Sequence, residues 1–299
     1  ERGVHNMDGK KEAINRQRMK DRINSYRKHP GSFVLALLTV AAAVITVSVL
    51  LFLVVYILVK GIPYLTPSLF AWKYTSDNVS MLPAIINTLE MTALALVFAV
   101  PFGIGAAIYL VEYAKKGNKI VGLVRVTAET LQGIPSIIYG LFGLLFFNNL
   151  LWGYSILSGA ATLAIMVLPV IMRTTEEALL TVPDSFREGS FGLGAGKLRT
   201  TFKIVLPTAI PGILAGIILA VGRIVGETAA LIYTSGTIAQ VAGNVLNSGR
   251  TLAVHMYALS QEGFHTNEAY ATAVILLAVV LLINGVSSLI AKRFEAPEQ

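Results

Sequence analysis

A run of 27 residues, Phe33–Val59, contains no charged side chain, and it is the first of several such runs in the chain. About 20 apolar residues in helical form cross the hydrocarbon of a bilayer, so this stretch is long enough to span with some tilt. Inside lipid the backbone must satisfy its own hydrogen bonds, which makes helix the expected state. Further apolar stretches recur at about Pro83–Leu110, Ile120–Phe147, Ser158–Met172, Pro207–Tyr233 and Ala269–Ala291. The second is interrupted by Pro101, Gly103 and Gly105, and the third by Gly133-Ile134-Pro135-Ser136. Only 14% of the 299 residues are charged, against about 25% in an ordinary soluble domain. The expectation is an all-α polytopic membrane protein with six transmembrane helices.

Charge sets the expected orientation. Basic residues gather in the N-terminal tail (1–32), the 112–119 loop with Lys115, Lys116 and Lys119, the 173–203 loop, and Lys292-Arg293 before a short tail (293–299). The three remaining loops hold only Lys60, Lys73 and Arg250. By the positive-inside rule both termini are expected in the cytoplasm. Residues 1–28 carry nine Lys/Arg against four Asp/Glu, which supplies +5 of the formal +7. Such a tail reads as a retention signal beside anionic membrane lipid rather than a nucleic-acid arm. The first apolar run is also too long, and too far into the chain, for a cleavable signal peptide. With no cysteine, disulfides, thiolate metal sites and cysteine nucleophiles are excluded.

One polar stretch stands out between the fourth and fifth runs, Glu188–Pro207, EGSFGLGAGKLRTTFKIVLP. Its glycines at 189, 192, 194 and 196 favour a break between two short helices over one continuous helix. Lys197, Arg199 and Lys203 give it a positive face. Gly194-Ala195-Gly196-Lys197 looks like the end of a phosphate-binding P-loop, but Phe191 stands where the first glycine belongs and Leu198 where Ser or Thr is required. The chain is therefore not expected to bind nucleotide.

Charges within the apolar runs mark a pathway or a partner, because burying one costs at least about 2.5–3.5 kcal/mol. Arg125/Glu129 and Arg223/Glu227 are both spaced i, i+4, so each pair should share a helix face. The plainest role is an intrahelical salt bridge or pairing across a subunit interface. Arg223 lies roughly 24 Å along a helix beyond Pro207, which sets it past the midplane, whereas Arg125 should lie near the cytoplasmic surface. His255 and His265, with Glu262 and Glu268, fall in the polar 234–268 loop and read as scattered surface residues rather than a metal site.

The polar stretch resembles the EAA loop of ABC-importer permeases, whose pattern is Glu-Ala-Ala, three residues, Gly, nine residues, Ile-x-Leu-Pro. Glu188, Gly194, Ile204, Leu206 and Pro207 fall at the required offsets, and Gly189 and Ser190 replace the two alanines. The strings Gly133-Ile134-Pro135-Ser136-Ile137-Ile138-Tyr139-Gly140 and Arg223-Ile224-Val225-Gly226-Glu227-Thr228-Ala229 resemble those of phosphate-transport permeases of the PstA and PstC kind. The resemblance implies a type I importer permease (MetI-like) fold, with 83–292 as the permease domain behind the first helix at 33–59. It also implies a coupling segment at 184–203 that docks on a separate ATPase, so ATP and Mg would sit on that partner and this chain would not be an enzyme. Implied partners are a homologous PstC-like permease, a PstB-like ATPase dimer and an extracytoplasmic phosphate-binding protein. Intramembrane Arg and Glu residues implicated in moving phosphate map onto Arg223, Glu227 and Arg173, with Glu129 nearby. An arginine fork suits a tetrahedral oxyanion but does not separate phosphate from sulfate or molybdate. A secondary transporter working alone is the competing class, and nothing in the chain assembles a catalytic set.

Overall fold

The structure, a computed structural model, describes residues 30–115 and 117–292. The N-terminal tail before Pro30, Lys116 and the C-terminal tail from Arg293 lie outside the described residues, as do the expectations that rest on them. The chain divides between Tyr56 and Ile57 into two units.

The first unit holds most of helix α1 (Pro30–Gly61). Its sequence is apolar on every side, with Leu35, Val44, Leu50 and Leu51 exposed, as expected of a helix solvated by lipid.

The second unit contains every other element. Helix α2 (Leu82–Ile108) ends in a π-helical turn, Tyr109–Tyr113. It runs unbroken through Pro101 and Gly103, contrary to the expected interruption. One missing amide is tolerated in lipid because the surrounding turns keep their bonds. Helix α3 (Lys119–Gln132) starts under an Asn118 cap, whose side chain accepts from Ile120 N at 2.9 Å. Helix α4 (Ser136–Gly143), continued by a π-helical stretch to Trp152, follows after a bend of 100°. The third apolar run is thus a broken span or a re-entrant pair, and the candidate spans number five, or six if that pair counts as one.

Helix α5 (Ile156–Leu180) is the most enclosed, and the others are arranged about it. It extends well past Met172, so the charged loop expected from Arg173 starts only at Thr181. Helices α6 (Asp184–Gly192) and α7 (Lys197–Thr200) form the polar stretch. A π-helical turn leads into α8 (Leu206–Val225), then come the short α9 (Ala229–Thr234), α10 (Leu252–Glu262) and α11 (Thr266–Lys292). The expected fifth run therefore breaks at Gly226–Thr228, and the expected polar 234–268 loop contains a helix. Leu252, Ala253, Val254 and His255 bury the first turn of α10 all round and Leu259 follows a turn later, a pattern too short to announce itself between flanking glycines.

Close approaches fix the register. A Cβ on Gly103 would meet Ile171, and one on Gly159 would meet Met91, so α2 and α5 run parallel. Gly212 abuts Ala178 and Gly216 abuts Thr174, which sets α8 antiparallel to α5. Small residues four apart let two backbones approach where lipid supplies no hydrophobic drive. Three buried clusters stack along the unit. Leu110, Leu179, Val182, Val205 and Ala209 lie at the end nearest α6, and Met91, Leu163, Met166, Ala220 and Ile224 form the middle. Leu69, Met81, Leu252 and Leu259 lie at the far end.

Candidate functional site

The polar stretch folds as its glycines require. The α6 helix ends at Gly192, and Gly194 adopts φ +81°, a left-handed geometry that a side chain would strain. Ala195 N donates to Ser190 O at 3.1 Å, and the chain re-enters helix at Lys197. Ser190, in the position of a family alanine, is buried and pairs its hydroxyl with that of Thr200 at 2.8 Å. The small residue there is needed because α6 and α7 meet at it. Glu188 and Gly189 are exposed, Ile204 is half-buried, and Leu206-Pro207 opens α8. Leu193 is 91% exposed and Leu198 66%, with Phe186 and Phe202 also exposed. Arg199 and Lys203 line a cleft of about 350 Å³ with Ser190, Leu193 and Gly194. Lys197 does not share that cleft, since its ammonium stands 5.2 Å over the Tyr113 ring. Exposed leucines beside cations that have no ion pair among the described residues suit docking on another protein.

Arg187 and Glu112, which sequence reasoning passed over, hold this pair of helices in place. Arg187 Nη2 donates to Glu112 Oε1 at 2.7 Å and to Leu179 O at 3.0 Å, and its Nη1 donates to Val182 O at 2.8 Å. Leu179 O is among the acceptors that end α5, and Val182 O lies just past the helix. The only local sign of Arg187 among the described residues is its i, i+3 pair with Asp184 at 3.3 Å, since its other partners lie 5, 8 and 75 residues away.

The two strings singled out in the sequence meet in the interior. A Cβ on Gly140 would lie 2.7 Å from Ala230 Cα, so α4 and the short α9 touch backbone to backbone. Thr234 packs on Gly143 in the same way. Both strings contain a helix break, at Gly133–Pro135 and Gly226–Thr228, and irregular backbone at this depth is tolerated only inside protein or beside a cavity. Tyr139 donates to Leu131 O at 2.8 Å across the first break, and Glu227 Oε1 accepts from Ala230 N at 3.1 Å across the second.

Arg223 is in the last turn of α8, and Glu227 lies beyond the helix end, so the two do not share a helix face as expected. Extending the Gly216/Thr174 register places Arg223 level with Val167, near the middle of α5, rather than beyond it. Ile224 and Val167 belong to one buried cluster, in agreement. Arg223 is half-buried and has no ion pair among the described residues.

Arg125 and Glu129 do not pair with each other either. Arg125 Nε lies 2.6 Å from Glu176 Oε1, and Arg173 bridges Glu129 and Glu177 at 2.7 Å each. This network ties α3 to the last turns of α5. Glu176 is buried while Arg173 is 40% exposed, and Arg173 sits two turns before the helix end, not at it.

At the far end, His255 is fully buried rather than a surface residue, set edge-on to Tyr74 with centroids 6.1 Å apart. Burial, aided by the Arg250 charge, lowers its pKa to about 3. Arg250 stacks over the same ring at 4.7 Å. His265 approaches Glu268 at 3.8 Å, and no group of three or more metal-ligating side chains occurs among the described residues.

The unit is a bundle of long apolar helices with one bent pair, α3–α4, whose second half packs on the short α9, and with paired short helices at one end: the architecture of a polytopic membrane protein. The family of binding-protein-dependent transport system inner membrane components matches residues 99–296. The chain belongs to that family, and it is a multi-pass inner-membrane ABC-importer permease. It is 33% identical to the probable ABC transporter permease protein YqgI of Bacillus subtilis, over 81% of this chain and 88% of that one. To the phosphate transport system permease protein PstA 1 of Mycobacterium tuberculosis it is 35% identical, over 71% and 70%. Among solved structures, a bacterial ABC transporter involved in the import of the acidic polysaccharide alginate shares the fold. Its TM-score is 0.65 and its identity 16%, covering 92% of this chain and 99% of that one.

Proposed function

We propose that this chain forms one half of the translocation path of an ATP-driven importer of inorganic phosphate. The observation that carries the reading is Arg223, a half-buried arginine without a counter-ion among the described residues, set in the last turn of α8 level with the middle of α5. A planar fork of donors there suits a tetrahedral oxyanion in transit, and Glu227 beyond the end of α8 would limit how tightly the anion is held. The relatives named for phosphate transport favour phosphate over other oxyanions. Arg173 and Glu129 stand on the same path nearer the coupling end, their charges balanced against each other and against Glu177.

In this reading residues 184–207 face the cytoplasm and transmit closure of a PstB-like ATPase dimer, which holds ATP and Mg. A PstC-like permease completes the path, and an extracytoplasmic phosphate-binding protein docks at the opposite end. Gentle solubilisation should recover the chain with a second permease and an ATPase. In proteoliposomes that assembly should import phosphate only with ATP. Arg223→Lys should cut uptake by about tenfold with assembly intact, because a point charge replaces the fork. Glu188→Arg should abolish uptake without loss from the membrane. Phosphate transport by this chain alone, without ATP, would refute the assignment.

A further inference from the structure

Both short helices of the coupling segment are fastened to the same place. Arg187 of α6 reaches Glu112, and Lys197 of α7 lies over Tyr113. Glu112 and Tyr113 are neighbours in the π-helical turn, Tyr109–Tyr113, that ends α2. Among the described residues, Arg187 makes every recorded side-chain hydrogen bond from α6 to α2 or α5.

The Arg187–Glu112 pair is enclosed, with side chains 14% and 7% exposed. Enclosed ion pairs are inefficient at stabilising a fold because both charges lose water, but a planar fork with several acceptors fixes orientation. Lys197 adds a second attachment of different chemistry. Beyond the turn, α2 is packed along α5 through Gly103 against Ile171 and Met91 against Gly159. That contact leads without a gap to the cluster containing Ile224, next to Arg223. A π-helical turn has weaker hydrogen-bond geometry than α-helix and is a natural place for a helix to yield.

We propose that the Tyr109–Tyr113 turn is the receiving contact through which displacement of the coupling helices moves α2, with Arg187 and Lys197 as positioning residues. The proposal rests on the coupling role of 184–207. It makes the end of the second span, rather than the covalent link to α5 or α8, the place where the stroke enters the permease.

Two measurements test it. In the purified full chain, Glu112→Gln with Tyr113→Leu should speed amide hydrogen exchange across Asp184–Gly192, while Tyr113→Phe, which keeps the ring, should not. Unchanged exchange in the double variant would overturn the tether. In proteoliposomes of the complete importer, the double variant should lower phosphate imported per ATP by about tenfold, within the usual range of coupling between sites. ATP hydrolysis should stay within about twofold of wild type. An unchanged ratio, or uptake and hydrolysis falling together with the amount of assembled complex, would mean the contact is structural only. If the wild-type assembly itself imports no phosphate with ATP, the function assigned above fails, and the exchange measurement still decides the tether.

Discussion

Replacing Gly140 by alanine tests whether α4 and α9 meet backbone to backbone. The added Cβ would lie 2.7 Å from Ala230 Cα and 3.1 Å from Ala230 O, and neither atom belongs to a side chain that could turn aside. Overpacking a close site costs about 1–3 kcal/mol, and a backbone obstacle belongs at the upper end. Alanine in α4 returns about 1 kcal/mol of helix propensity, leaving a net loss of about 2 kcal/mol. For a unit of this size that is a fall of about 4–8 °C in Tm. Gly105→Ala is the internal control. Gly105 is also helical, but nothing lies within 4 Å of its added Cβ, so only the propensity gain of about 1 kcal/mol remains. The assay is thermal unfolding of both variants in the same detergent, with phosphate uptake measured in parallel. Gly140→Ala should lose stability and uptake, and Ala230→Gly should not rescue it, because the obstacle is backbone. A Gly140→Ala protein as stable as Gly105→Ala would show that α4 and α9 do not touch as described.

Two further outcomes follow from the site geometry. Gly194→Val should cost about 1–2 kcal/mol, since φ +81° is strained for a branched side chain, and should lower uptake at unchanged membrane levels; normal uptake would remove the turn from the coupling mechanism. His255 stays neutral in the folded chain, with its pKa depressed to about 3, whereas the unfolded chain takes up that proton near pH 6.5. Its contribution is complete above about pH 7 and is lost as the pH falls from 6.5 toward 3, amounting to about 1.4 kcal/mol between pH 7.5 and 5.5. Thermal unfolding across that range should show the loss in wild type and not in His255→Gln; an identical pH dependence in both would place the titration elsewhere.

What local chemistry dictates was legible without the fold. Long apolar runs announced the membrane class, Gly194 the break between two short helices, and the Glu188–Pro207 spacing the family. Runs of composition and turn geometry are properties of contiguous residues, so they survive in one dimension. Partnership was not legible. The i, i+4 spacing set Arg125 with Glu129, and Arg223 with Glu227, on one helix face each, yet Arg125 turns to Glu176, Arg173 takes Glu129, and a helix end separates Arg223 from Glu227. Each ion pair is decided by the register of one helix on another, and that register is set by glycines such as 103, 212 and 216 allowing close approach. The same non-local packing brings Gly140 onto Ala230 and Arg187 onto Glu112. The sequence by itself determined which segments are apolar enough to enter a membrane and where the polar stretch between them breaks into two short helices. Only the tertiary structure decided which charges neutralise each other and which is left at mid-depth, because a charge's partner depends on distance in space and not on separation along the chain.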